Sequence, residues 1–329
     1  LRLKAGIINT QGSVNLQTND FQLVSQTTQL DLSKLNIENP LQGKVNAIVS
    51  LNGNPKDLSQ LQLDLQAESD NLRTIDTQLG RLSIQAWSDN QGRIRSEITS
   101  YLIASQPQKI FASLTLNEDG YPLEIESELN KLDAALLLAA IQPQTAKNDA
   151  IHSSITGKLN LKGKILNDKG EFNLANFEGG LNLSNASFKL AEQMLNIETP
   201  TSIDFEAGKL CLDRLRIFSG NSDFNIAGQL ALMDKNNLDF TAKGTINLKD
   251  FNSLIPDTSL NGSIFLDAKL TGTPEKPQLV GQMMLNKIGL SQDDLPIEFT
   301  SGNGLVIFGS ERILLDNFSI KANDGQVSG

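Results

Sequence analysis

Asp223-Phe224-Asn225-Ile226-Ala227-Gly228-Gln229-Leu230-Ala231-Leu232 is followed, after a short polar break, by Leu238-Asp239-Phe240-Thr241-Ala242-Lys243-Gly244-Thr245-Ile246-Asn247-Leu248. In the first stretch Phe224, Ile226, Gly228, Leu230 and Leu232 occupy every second place. In the second, Leu238, Phe240, Ala242, Gly244, Ile246 and Leu248 do the same. Successive side chains of a strand point to opposite faces, so each stretch presents one apolar and one polar face. That pattern predicts antiparallel sheet with one face in water.

The same alternation spreads outward through the chain. It recurs in Val45, Ala47, Val49 and Leu51, in Ile94, Ile98 and Leu102, and in Ile110, Ala112, Leu114 and Leu116. It recurs again in Leu159, Leu161 and Ile165, and in Ile264, Leu266, Ala268 and Leu270. Hairpin chemistry separates the runs: Ser88–Gly92, Asn117–Gly120, Asn167–Gly170 and Asn323–Gly325 supply the Asn, Asp and Gly that tight turns require. At the usual spacing of strands, on the order of 22 to 25 of them are expected.

Helical signals are few. Lys131–Ile141 has strong helix formers and no alternation, with Pro143 limiting its extension. Leu248, Phe251, Leu254 and Ile255, stopped by Pro256, predict a short second helix, and Leu32 and Leu35 before Pro40 a third. Leu190–Ile197 reads equally as helix or strand.

The helical segments stand in equivalent places. Each precedes an apolar residue, one further residue and a glycine: Leu41-Gln42-Gly43, Ile155-Thr156-Gly157 and Leu260-Asn261-Gly262. The first and third copies match further, since Leu51-Asn52-Gly53-Asn54-Pro55 aligns with Leu270-Thr271-Gly272-Thr273-Pro274. Leu210-Cys211-Leu212-Asp213-Arg214-Leu215 likewise resembles Ile313-Leu314-Leu315-Asp316-Asn317-Phe318. The chain therefore reads as a diverged array: residues 1–40 ending one module, 41–154 and 155–259 as two modules, and 260–329 as a third, truncated one. The start at Leu1 and the end within a strand-like pattern are expected of an internal fragment.

Composition narrows the function. The 329 residues carry 28 Lys and Arg against 38 Asp and Glu, a net charge of −10, so no nucleic-acid partner is expected. One histidine, His152, and one cysteine, Cys211, leave no multi-histidine or cysteine-based metal site. His152 reads as a solvated loop residue, since no G-x-S-x-G accompanies it, and Cys211 as a small buried hydrophobe. Asp293-Asp294 and the acidic turns lack the spacing of a calcium loop. Gly281, Gly302 and Gly304 precede no Gly-Lys-Ser/Thr and read as bulges or bends of a curling sheet. No catalytic residue, cofactor or metal is expected, and the chain is not read as an enzyme.

Leu270-Thr271-Gly272-Thr273-Pro274-Glu275-Lys276-Pro277-Gln278-Leu279-Val280-Gly281-Gln282-Met283-Met284-Leu285 resembles the recurring L-x-G-T-x-x-x-P-x-L-x-G-x-x-x-L line of the TamB family, within the AsmA-like group of bacterial proteins. Leu210 through Leu230, and Ile313 through Gly329, resemble another of its recurring lines. The resemblance implies an all-β, elongated, repetitive antiparallel sheet curled into an open apolar groove, β-taco-like, with a few short helices at module joints. It also implies a periplasmic protein anchored in the inner membrane through a segment outside this fragment. Its partners would be phospholipid acyl chains and a TamA-like outer-membrane barrel, the latter through regions outside the fragment. Its role would be lipid transfer between the two membranes, support of outer-membrane protein and autotransporter assembly, or both. The alternating faces nominate as groove lining Val45, Val49, Leu51, Leu114, Leu116, Leu159, Leu161, Phe224, Ile226, Leu230, Leu232, Phe240, Ile246, Ile264, Leu266 and Leu270. The alternative is a structural β-solenoid or adhesin segment of a secreted surface protein with a self-filled core.

Overall fold

A computed structural model describes residues 2–35, 41–73, 78–89, 91–101, 106–116, 118–133, 151–190, 193–232, 237–255, 257–274, 276–292, 298–309, 312–323 and 325–329. Within them lie 21 strands and three short 3-10 turns. The chain divides into two compact units: Leu1–Asp149 with Ser154–Leu181, and Ala150–Ser153 with Asn182–Gly329. The fold is all-β and antiparallel, as the period-two pattern requires.

The strands of the first stretch of chain are β1 (Arg2–Leu3), β2 (Gly6–Val14), β3 (Phe21–Asp31), β4 (Lys44–Asn54) and β5 (Asp57–Arg73). Then follow β6 (Gln78–Ser88), β7 (Arg93–Ser100), β8 (Gln108–Thr115), β9 (Pro122–Leu132) and β10 (Ile151–Lys164). Each pairs antiparallel with the one before it. Alternation is plainest in β5, where Leu61, Leu63, Leu65 and Ala67 are half-buried and Gln60, Gln62, Asp64, Gln66 and Glu68 are exposed. Tight turns make the meander possible. At the β6–β7 corner Asp89 Oδ1 accepts from the Gln91 and Arg93 amides at 3.0 and 3.1 Å, and Gly92 supplies φ +73°.

Later in the chain come β11 (Phe177–Leu190), β12 (Gln193–Ile197), β13 (Thr201–Glu206), β14 (Lys209–Ser219), β15 (Ser222–Ala231) and β16 (Leu238–Asn247). They continue through β17 (Thr258–Thr273), β18 (Lys276–Gln292), β19 (Phe299–Phe308), β20 (Ile313–Ala322) and β21 (Gly325–Ser328). From β14 onward each pairs antiparallel with its predecessor. β12 and β13 both pair with β14, using different stretches of it. Of the segment Leu190–Ile197, which reads either way in sequence, the described residues are strand: β11 closes at Leu190 and β12 (Gln193–Ile197) pairs back onto it.

The expected helices at Leu32–Leu35 and 248–255 are 3-10 turns over Leu32–Lys34 and Leu248–Leu254. Asp31 and Asn247 cap them by accepting from the Ser33 and Lys249 amides. Of the helix expected over Lys131–Ile141, Lys131 and Leu132 end β9 instead, and residues 134–141 with Pro143 lie outside the described residues. Pro40, Leu102, Pro256 and Asp293-Asp294 also lie outside them. The repeat seen in sequence is visible in local structure. A capped 3-10 turn, a strand ending one residue past Gly53 or Gly272, a short hairpin and a 17-residue strand occur once as β4–β5 and once as β17–β18.

Two glycines of the opening sequence stretch show why the strands can lie so close. Gly228 has φ +147° and faces Phe240 across the β15–β16 pair; a Cβ there would stand 2.2 Å from the Asp239 carbonyl oxygen and 2.6 Å from Phe240 Cα. Gly244, at φ +159°, faces Phe224 in the same way, with a Cβ 2.5 Å from the Phe224 Cβ. Each phenylalanine occupies the space its partner glycine leaves. Gly228→Ala is expected to destabilise the fold by about 2–4 kcal/mol, through a backbone clash added to an unfavourable φ. Gly170→Ala, at a turn with open space around the glycine, is expected to cost only about 1–2 kcal/mol. Urea unfolding of the two variants measures the difference.

Candidate functional site: the apolar strand face

Register decides which side chains share a face. In the first unit Thr27, Ala47, Ala67, Ile84, Ile98, Ile110, Ser127 and Leu159 are successive partners from β3 to β10. A second row runs through Val49, Leu65, Ala86, Ser96, Ala112, Ile125 and Leu161. Ile94, Leu114 and Leu123 follow in a third, in line with Leu51 and Leu63. Val45 stands beyond a bulge, opposite Leu30, and the Leu116 amide donates to Gly92 O just past β8. The nominated residues of this unit thus share one face. Most are half-buried rather than enclosed.

In the second unit Leu215, Ile226, Ala242, Ala268, Gly281, Phe308 and Ile313 form one row. Ile217, Phe224, Gly244, Leu266, Met283, Val306 and Leu315 form the next. Phe240 pairs with Gly228 and Leu270, Ile246 with Ile264, and Leu230 with Leu210 and Leu238, all on this face. Leu232 lies just past β15, its amide donating to Gly208 O. Part of the face is filled by the chain itself. Ala268, Val306 and Phe308 are buried, with Leu266, Met283 and Leu285 packed on them. Among the described residues only eleven apolar side chains are buried in all, far fewer than the alternating positions supply.

The opposite face carries ion pairs, with Ile48, Trp87, Phe111, Phe265 and Met284 exposed among them. Lys109 meets Glu97 and Lys158 meets Glu128 at 3.3 Å, and Lys162 meets Glu178 at 2.9 Å. Lys243 reaches Asp267 at 2.8 Å and Lys269 reaches Asp239 at 2.9 Å. Arg216 bridges Asp223 at 2.6 Å and Glu198 at 2.9 Å. Those carboxylates hold the Arg216 guanidinium more firmly protonated than usual, and Arg216 in turn lowers Asp223. Exposed pairs of this kind contribute about 0–1 kcal/mol each, so they label a wet face more than they hold it together.

Toward the end of the strands that carries the 3-10 turns, pairing is interrupted. Register shifts occur between Thr27 and Leu30, Ser69 and Leu72, Ile155 and Gly157, Asn261 and Ser263, and Leu285 and Ile288. Gln29, Lys131, Lys287 and Ser301 take positive φ at or beside such places. Bulges bend a strand and increase its twist. In the first unit a row of buried polar groups stands beyond the aliphatic rows. Ser69 Oγ donates to Lys44 O at 2.8 Å, and Gln108 Nε2 donates to Asn130 O while its Oε1 accepts the Asn130 amide, both at 2.8 Å. In the second, Ser222 Oγ donates to Asp250 Oδ2 at 2.7 Å and accepts the Asn247 amide at 2.9 Å; Ser219 bonds to Gln193 and to the Met194 carbonyl. Sequence reading missed these groups, because single serines and glutamines in strands carry no periodic signal. It also missed Leu61, Leu63, Leu65, Ile84, Ile125, Met283 and Val306 as members of the face, although period two alone could have found them.

His152 is exposed and Cys211 half-buried on the face opposite the apolar rows. Among the described residues no three His, Cys, Asp or Glu side chains stand together as metal ligands. In each unit the geometry assembles an apolar strand face bordered at one end by buried polar groups. No family model matches the chain, and no curated protein or solved structure matches it either.

Asp31, which caps the first 3-10 turn, has its carboxyl lowered to about 2, first by the Ser33 hydroxyl and then by Lys34. A depressed carboxyl contributes its stabilisation above the ordinary carboxylate range and loses it as pH falls through the folded value. Carboxyl NMR titration is expected to show Asp31 ionised through pH 4 and titrating near the bottom of that window. Ser33→Ala is expected to raise its midpoint toward the ordinary value of about 3.9.

Proposed function

We propose that this chain is a non-enzymatic scaffold or conduit of TamB type that carries phospholipid acyl chains along its apolar strand face. The observation that supports the reading is the half-exposed apolar face, continuous from β3 to β10 in the first unit and from β14 to β19 in the second. An apolar surface in water has to be covered. Curling of the sheet into an open groove would cover part of it and leave the rest for a ligand.

An acyl chain suits such a lining because the hydrophobic effect is non-directional and scales with area. At about 0.8 kcal/mol for each CH₂ removed from water, a chain of ~16 carbons gains on the order of 10 kcal/mol when fully covered. Aliphatic rows such as Ala67, Ile84, Ile98 and Ile110 offer no strong local site. A chain could therefore shift along them over low barriers while its headgroup stayed in water. In this reading the protein works in the periplasm, anchored in the inner membrane by a segment outside this sequence. It moves lipid between the membranes, supports assembly of outer-membrane proteins with a TamA-like barrel, or does both.

A second reading is a structural β array with a self-filled core. The buried Ala268, Val306 and Phe308 cluster favours it for the second unit. One experiment separates the two: native mass spectrometry of the purified protein, then organic extraction and lipid analysis. Co-purifying phospholipid is expected. It should be lost in Leu230→Glu, Leu266→Glu and Leu65→Glu, and retained in Gln282→Glu and Gln66→Glu, whose exposed side chains lie on the other face. Circular dichroism and thermal unfolding verify that each variant is folded. A folded, lipid-free protein that also refuses added phosphatidylethanolamine would overturn the transport reading in favour of the self-filled one.

A further inference from the structure

On the face opposite the apolar rows, the bulged ends of β3, β4 and β5 surround a cavity of about 700 Å³. Small-molecule sites have this size, and most are lined by apolar groups. Here no lining residue carries an apolar side chain: they are carboxamides, carboxylates, a hydroxyl and two cations. Alternation produces that lining. Val45 and Ala47 belong to the apolar rows, so Lys44 and Asn46 turn to this side.

Backbone contacts fix the walls. Gln42 and Arg73 exchange amide-to-carbonyl hydrogen bonds at 2.7 and 2.9 Å. Gly43 lies so close to β5 that a Cβ would stand 2.6 Å from Asn71 O. The Gln29 amide donates to Asn46 Oδ1 at 2.8 Å, which sets the plane of that carboxamide. A smaller cavity, about 250 Å³, shares Asn46 and extends across β3 to β6. Gln26, Ile48, Gln66 and Gln85 are successive partners across those strands, a row of ~15 Å at the usual strand spacing. Among the described residues no protein group bonds to the side chains of Gln26, Gln42, Gln66, Asn71 or Gln85.

Two apolar groups adjoin the carboxamides. Ile48, within the row, is 49% exposed. Trp87, the one tryptophan of the chain, stands two residues beyond Gln85 on the same face and is 41% exposed. Charge in the larger cavity balances, Lys44 and Arg73 against Asp31 and Asp70, so it favours neither an anion nor a cation. An extended peptide adds to a sheet at an edge, and β3 to β6 are each paired on both sides. A neutral polyol fits the groups that remain. Each carboxamide offers two donors and an acceptor, and each sugar hydroxyl is both donor and acceptor. The C–H face of a pyranose ring is apolar and packs on an indole.

We propose that this groove binds a neutral oligosaccharide, its hydroxyls bonded to Gln42, Asn46, Gln66, Asn71 and Gln85 and one ring stacked on Trp87. Ile48 supplies a second apolar contact between the carboxamides of its row. The inference does not rest on the lipid reading, because sugar and acyl chain would occupy opposite faces of the same strands.

Isothermal titration calorimetry of the purified chain with cellohexaose, maltohexaose and hexa-N-acetylchitohexaose is expected to show binding of at least one, with Kd below ~1 mM. Trp87→Ala and Gln66→Ala are expected to weaken that binding by about tenfold and about fivefold. Gln278→Ala, in the second unit, is expected to leave it unchanged. Fluorescence emission of Trp87 should shift in the same titration, and inorganic phosphate at ~10 mM should not compete. Failure of all three sugars to bind, an unmoved emission, undiminished affinity in the groove variants, or displacement by phosphate overturns the proposal. Circular dichroism on each variant verifies the fold.

Discussion

Antiparallel pairing in register is the constraint from which the rest of this structure follows. Because side chains alternate with period two, a slip of one residue in any strand pair would turn its apolar row into water. Ala47, Ala67, Ile84, Ile98 and Ile110 lie side by side because the middle of every pair between β4 and β8 stays in register, the shifts falling toward the strand ends. The charged rows on the reverse, such as Lys109, Glu128 and Lys158, are kept in water by the same alignment. The exposed ion pairs add little energy, but a slipped register would bury their charges unpaired, which is costly.

Energy and shape are supplied at different places along the strands. The middle of each strand carries aliphatic residues whose burial is partial. The ends near the 3-10 turns carry bulges and a fixed set of polar contacts, including Ser69 to Lys44, Gln108 to Asn130, and Ser222 to Asp250 and Asn247. Buried polar groups are tolerated when their hydrogen bonds are made. These contacts therefore also mark where the apolar rows stop. Glycine–phenylalanine pairs such as Gly228 with Phe240 let adjacent strands approach closely while a ring fills the gap.

The functional reading follows from the kind of surface this produces. A catalytic site gathers polar groups from several elements at one point. Here the feature found in each unit is a largely apolar strand face, a surface that interacts by area rather than direction. The two units differ in how they meet that face. The second fills part of it with Ala268, Val306 and Phe308, whereas the rows of the first, from Ala47 to Leu159, consist of half-buried aliphatic residues interspersed with serine and threonine.

Much of this is legible in the residues alone. Alternation in Phe224–Leu232 and Leu238–Leu248 determines strands, their two faces and their antiparallel class, because period two is a local property of extended backbone. The repeated glycines at 43 and 262 and the Gly53 and Gly272 hairpins are legible for the same reason: turn and bulge chemistry is local. The expected helix at 248–255 shortened to a 3-10 turn, since Asn247 caps it while strand pairing claims the residues on both sides. Leu132, a strong helix former in sequence, ended a strand because Ile155 of β10 pairs with it, and the Lys131 amide, in the bulge beside it, donates to Thr156 Oγ1. Only the tertiary structure decided which strands neighbour which, where the bulges line up, and that Ser69, Ser100, Gln108 and Ser222 are buried. Those outcomes depend on contacts between residues far apart in the chain, and no local period encodes them.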